Sequence, residues 1–261
     1  MSARRGRSDG LVRSSPVLLS LFLLYLRWYV SRHFHGLRLA HGERFRQSGS
    51  GPLIVCVNHP SWWDPLTCLL LSRALLPDAE HYAPMDAGML AQYSFFSKLG
   101  LFPVEQGTAR GAAQFLRSAQ QVLALPQAAL WITPQGAFTD VRVRPVALKG
   151  GVGSLVERLG ACTVVPLSIE YTFWNERLPE ILASCGEPLR LENVIAPVAN
   201  EKVAAAMEAA QEELARLAIT RSSACFQTIL AGGAGLDSVY GLWQRVRGKY
   251  RAEHGSIGGR L

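Results

Sequence analysis

The sequence predicts an α/β fold: a central mixed sheet flanked by helices, preceded by a helical segment suited to a membrane interface. Short continuous apolar runs such as residues 52–57 (PLIVCV) and 128–133 (AALWIT) have the composition of strands buried on both faces. Longer stretches with helical periodicity lie between them, and that alternation fits a parallel or mixed sheet covered by helices. Hydrophobic residues make up 49% of the 261 positions and charged residues 18%. That is enough apolar material for a full-sized core, and it excludes a disordered chain. Mean hydropathy is only +0.12, and no run reaches the roughly 20 apolar residues of a spanning helix, which excludes a polytopic membrane protein.

Taken in order, residues 1–16 are polar and basic, and 17–26 (VLLSLFLLYL) are apolar but short. Arg27, Trp28 and Tyr29 follow at once. A secretory signal has a similar start, but RWYVSRHF offers no small-residue cleavage site, so the segment is expected to be retained. An interfacial helix with Trp28 and Tyr29 at headgroup level is the expectation; a helix packed on the domain is the alternative. From about residue 37 strands and helices alternate. Expected strands are 52–57, 81–84, 101–104, 128–133 and 163–170; expected helices are 65–75, 87–99, 108–125, 153–159 and 201–219. After the break at Gly232-Gly233-Ala234-Gly235, residues 237–251 are expected to form a basic amphipathic helix. The implied organisation is a basic N-terminus and membrane-contacting helix (1–36), a main domain (37–235), and a basic C-terminal helix and tail (236–261).

The net charge of +7 calls for an anionic partner. Arg4, Arg5, Arg7 and Arg13 precede the apolar segment, and Arg245, Arg247, Lys249 and Arg251 are interleaved with Trp243 and Tyr250. Basic residues flanking apolar and aromatic ones suit a lipid surface. No zinc-finger, RNA-recognition or basic-zipper spacing supports nucleic acid. The five cysteines are scattered without C-x-x-C or metal-ligand spacing. They read as buried free thiols of a reducing compartment, and no metal site is expected.

The stretch that carries chemistry is Asn58-His59-Pro60-Ser61-Trp62-Trp63-Asp64-Pro65, between a strand and a helix. Open α/β sheets place their sites at such junctions. Asp64 followed by Pro65 is a good helix start, so Asp64 can serve simply as a cap. The same turn can instead return its carboxylate to His59. An imidazole held by a carboxylate through one nitrogen is a general base at the other, able to take a proton from a hydroxyl. Trp62 and Trp63 either face lipid or an acyl chain, or pack beneath the turn.

Four blocks in order resemble the glycerolipid acyltransferase superfamily, the lysophosphatidic-acid acyltransferase-like enzymes, over roughly residues 37–190. They are NHPSWWD at Asn58–Asp64; GLFPVEQ from Gly100 to Gln106; TPQGAF from Thr133 to Phe138; and Val164-Val165-Pro166-Leu167. The resemblance implies transfer of a fatty acyl group from acyl-CoA or acyl carrier protein to a lipid hydroxyl, with no resident cofactor. His59 is then the base and Asp64 its orienting partner. Asn58, Ser61, Trp62, Trp63, Gln106, Arg110, Pro134, Gln135 and Gly136 are the expected substrate-binding positions. Membrane lipids are the expected partners, on the cytoplasmic face of a membrane with the protein peripheral or monotopic.

The departures from the family pattern bear on the acceptor. The family usually carries an arginine where Gln106 stands, and Glu, Thr and Arg where Gln135, Ala137 and Phe138 stand. Loss of both arginines removes the forked donors suited to a phosphate monoester. The expected acceptor is therefore a glycolipid, aminolipid or other neutral lipid. Alternatives are an ordinary lysophosphatidic-acid acyltransferase and a non-catalytic lipid-binding protein of the same fold. Arg110, Arg142, Arg144 and Lys149 are the nearby cations able to compensate.

Overall fold

The computed structural model describes residues 14–48 and 51–232; the basic residues 4–13 and the expected helix 237–251 lie outside them. The strands are β1 (Gly36–Ala40), β2 (Leu53–Val57), β3 (Glu80–Asp86), β4 (Leu101–Val104), β5 (Ala128–Ile132), β6 (Ala161–Thr172), β7 (Glu180–Cys185), β8 (Leu189–Glu192) and β9 (Gln227–Ala231). The helices are α1 (Pro16–His33), α2 (Asp64–Leu75), α3 (Ala87–Gln92), α4 (Ala109–Leu123), α5 (Gly151–Leu159) and α6 (Ala196–Ile219). The strands form one mixed sheet in the order β4-β3-β5-β2-β6-β7-β1-β9, with β8 also paired to β6.

From β4 to β6 every pairing is parallel, which puts the carboxyl ends of β2, β3, β4, β5 and β6 along one edge. Beyond β6 the sheet turns mixed: β7 is antiparallel to β6, β1 parallel to β7, and β9 antiparallel to β1. Strand β6 is long enough to serve two partners on that side, β8 with its first residues and β7 with its last.

Helices cover both faces of the sheet, which is why its central strands are apolar without a break. Ile54 and Cys56 of β2 point into one core with Leu130, Val164, Ala119, Leu155, Val203 and Met207. Val55 and Val57 point the other way, to Leu26 and Val30 of α1 and Leu70 and Leu71 of α2. Alternation along the strand therefore assigns successive residues to two separate cores.

Helix α1 extends the expected apolar segment to 18 residues, with Ser15 at its N-cap and Pro16 in the first turn. One side packs on the domain through Leu26 and Val30; the other leaves Val17, Leu21, Leu24, Tyr25 and Trp28 exposed. Among the described residues no helix is long and apolar enough to cross a membrane.

The expected single helix 87–99 is two pieces, α3 and a 3-10 helix at Ser94–Leu99, broken at Tyr93 (φ −121°, ψ 60°). The break lets Phe95 and Phe96 both reach Phe22 of α1, with ring centroids at 5.2 and 6.2 Å. Tertiary packing has overridden helical propensity there. Strands β1, β7, β8 and β9 were not among the expected strands. Cys56, Cys162 and Cys185 are buried free thiols as expected, whereas Cys68 is partly buried and Cys225 is exposed.

Candidate functional site

The turn between β2 and α2 is tied down residue by residue. Asn58 is buried, and its side chain continues the β-ladder one step past the last β2–β6 pair, Val57 with Leu167. Its Nδ2 donates to the Ile169 carbonyl (2.9 Å) and its Oδ1 accepts the Ile169 N–H (2.7 Å). His59 then leaves the sheet at a fixed point. Its backbone N–H donates to Gln135 Oε1 (3.0 Å), and its carbonyl accepts the Thr139 N–H (2.9 Å).

His59 Nδ1 lies 2.7 Å from Asp64 Oδ2. The Asp64 carboxylate is fully buried, and the same oxygen accepts the Ser61 N–H at 2.9 Å. Its other oxygen accepts the Tyr171 hydroxyl at 2.8 Å, and Thr67 Oγ1 lies 3.1 Å from that hydroxyl. A carboxylate only accepts, so Nδ1 carries the proton and Nε2 is the basic nitrogen of the neutral ring. Asp64 is not the N-cap of α2: Trp63 holds that position without a side-chain cap bond, and Asp64 is the first helical residue. Every hydrogen bond to its carboxylate comes from outside the helix. Tyr171 is pushed well above its usual pKa by burial and by the Asp64 charge, and Cys68 is raised by the same two causes. Both groups stay neutral beside the carboxylate.

Because β2, β4 and β5 are parallel, the first, second and third sequence blocks all emerge at one edge of the sheet. The third block comes back onto His59. Gln135 holds the His59 backbone, and the Phe138 ring lies 4.5 Å from the imidazole between centroids while remaining largely exposed. Gly136 has φ +66°, and a Cβ there would fall 2.6 Å from the Lys149 side chain. Lys149 Nζ in turn donates to the Gly136 carbonyl (3.1 Å), and the Lys149 N–H bonds the buried Pro134.

The remaining expected positions fall in three groups. Gln106 and Arg110 are exposed on the link from β4 into α4, three strands along from β2. Ser61 is used within the turn, its hydroxyl accepting the Trp63 N–H at 3.3 Å. The two tryptophans divide the roles open to them. Trp63 packs inward against Phe34 (4.8 Å, edge-on) and Tyr29 (5.6 Å), and Trp62 stacks on it at 4.4 Å with its outer face exposed. Of the compensating cations, Arg142 pairs with Asp140 and Arg144 is spent on loop carbonyls and Gln211.

The Acyltransferase family model matches residues 37–170, just over half of the chain and spanning all four blocks. The chain belongs to this family, the glycerolipid acyltransferase superfamily. No curated protein matches the sequence. Membership makes the chain an acyltransferase, acting in acyl transfer to a lipid.

Within this candidate site, sequence reasoning missed Tyr171, Thr67 and Thr139. Two of them carried a signal. Thr67 stands at i+3 from Asp64 on the helix, where side chains share a face. Tyr171 is a polar aromatic near the end of a long strand, just past its mostly apolar run.

Proposed function

We propose that the protein transfers a fatty acyl group from a thioester, acyl-CoA or acyl carrier protein, to a hydroxyl of a lipid other than a phosphate monoester. His59 Nε2 takes the acceptor proton, and Asp64 holds the ring and stabilises the imidazolium that forms. The alkoxide attacks the thioester carbonyl, and collapse of the tetrahedral intermediate expels the thiolate, to which the imidazolium returns the proton. The observation that carries this reading is the 2.7 Å contact between His59 Nδ1 and a fully buried Asp64.

The acceptor class rests on what surrounds the base. The position expected to hold an arginine is Phe138, an exposed ring against the imidazole, and Gln135 is occupied with the His59 backbone. An apolar ring favours an uncharged acceptor over a dianion. Efficient lipid access is supported by the exposed stripe Val17, Leu21, Leu24, Tyr25 and Trp28 on α1. Ring contacts continue from it through Tyr25–Tyr29, Tyr29–Trp63 and Trp63–Trp62 to the catalytic turn. Such a face suits an interfacial helix that brings the site to the lipid headgroups. The soluble thioester donor fits a peripheral or monotopic enzyme on the cytoplasmic face.

The test is acyl transfer from labelled long-chain acyl-CoA, or acyl carrier protein, into a membrane lipid extract, with the labelled product identified by mass. A labelled neutral lipid or glycolipid supports the acceptor assignment. Preferential acylation of lysophosphatidic acid contradicts it, and no product from either donor contradicts the enzyme reading in favour of lipid binding.

A further inference from the structure

We infer that Tyr171 is a positioning residue of the catalytic dyad: with Thr67 it forms an ordered donor chain that holds Asp64 from the side opposite His59. The inference rests on the reading of His59 as the base. Three elements meet here. His59 follows β2, Asp64 and Thr67 sit on α2, and Tyr171 sits near the end of β6. The hydroxyl of Tyr171 is 2.8 Å from Asp64 Oδ1 and 3.1 Å from Thr67 Oγ1.

Proton counting fixes the direction of the chain. Ionised Asp64 only accepts, and Tyr171 has one proton to give, which goes to Asp64. The tyrosine oxygen must then accept the Thr67 proton. Asp64 therefore receives three donors, His59 Nδ1 and Ser61 N on one oxygen and Tyr171 on the other. The third donor prevents rotation of the carboxylate and draws charge away from the oxygen facing the imidazole. Burial keeps the tyrosine protonated, so it remains a donor throughout the working pH range. Cys68 is the other titratable group facing Asp64, and it too stays neutral. His33 of α1 reaches Trp63 rather than the dyad.

Without the phenol, Asp64 turns more freely and holds the imidazole proton more tightly. The experiment compares wild type, Tyr171→Phe and Thr67→Val as full-length protein in detergent micelles. Two quantities are read: steady-state transfer kinetics and the NMR titration of the His59 ring nitrogens, assigned by their loss in His59→Ala. In Tyr171→Phe, kcat should fall about tenfold with KM unchanged, the scale of loss expected from a slightly misplaced base. The His59 titration midpoint should move to higher pH. Thr67→Val should move both quantities in the same direction by less, and it carries the comparison should Tyr171→Phe fail to fold. A wild-type titration midpoint in both variants overturns the inference. So does a fall in kcat that tracks lost thermal stability with no shift in the midpoint. If the wild type transfers no acyl group, the enzymatic reading fails, while the NMR comparison still decides whether Tyr171 holds the dyad.

Discussion

The turn after β2 and the loop after β5 both touch His59, yet they are built in opposite ways. In the turn, Asn58, Ser61 and Asp64 direct their polar groups into the protein, each with a defined partner. In the loop, Gln135 and Thr139 hold the His59 backbone, while Phe138 and Lys149 face outward. One region fixes the imidazole, and the other presents an exposed ring and a cation to whatever approaches it. Substitutions should therefore divide: those in the turn change rate and stability, and those on the outward face of the loop change the choice of acceptor.

The largest effect is expected from Asp64→Asn. Losing the anionic partner of the imidazole should lower kcat by about a hundredfold to ten-thousandfold, measured by labelled acyl transfer at saturating acceptor. A loss below fivefold would mean the turn does not organise the base. Asn58→Ala strips both partners from a buried backbone N–H and carbonyl on β6. It should cost about 2–4 kcal/mol in urea unfolding, since each unsatisfied group costs roughly 1–3 kcal/mol.

Acid sensitivity separates loss of the fold from loss of the base. His81, on β3 beside β5, accepts from Trp131 Nε1 (3.1 Å) and donates through Nε2 to the Leu76 carbonyl (2.9 Å). Burial depresses its pKa from 6.5 to about 4. The unfolded chain binds the extra proton first, so this contribution is complete above about pH 6.5 and is lost as pH falls towards 4. It amounts to roughly 3 kcal/mol at most. His81→Gln should flatten the stability profile between those pH values by that amount; an unchanged profile would contradict the assignment.

The smallest stability effect belongs to Phe138→Arg, within about 0.5 kcal/mol of wild type because the ring is exposed. Its consequence should appear in specificity. The ratio of kcat/KM for lysophosphatidic acid to that for the preferred neutral lipid should rise about tenfold or more, as an added forked donor implies. An unchanged ratio would remove Phe138 from acceptor choice.

The same division explains what could be read from the sequence. Strands β2, β5 and the start of β6 are buried on both faces, so PLIVCV and AALWIT announce themselves. Strand β1 (GLRLA) carries Arg38 and β7 begins with Glu180, charges that only their union makes buriable: Arg38 Nε meets Glu180 Oε2 at 3.0 Å, and His35 meets the other oxygen at 2.6 Å. A pairing between residues 142 positions apart leaves no local pattern. In the site, His59 and Asp64 were legible because they lie within one turn. The long-range partners, Tyr171 to Asp64 and Gln135 to the His59 backbone, depend on which strands neighbour β2. The capping reading of Asp64 failed because His59 and the Ser61 backbone within the turn, together with Tyr171 from β6, claimed the carboxylate.

The most direct measurement is the rate of transfer from labelled acyl-CoA to the acceptor found in the lipid extract, for wild type and for His59→Ala of matched thermal stability. Removal of the general base should reduce kcat by about a hundredfold or more with thermal unfolding unchanged. Wild-type rates in His59→Ala would contradict catalysis by the dyad and return Asp64, Tyr171 and the buried turn to a purely structural role.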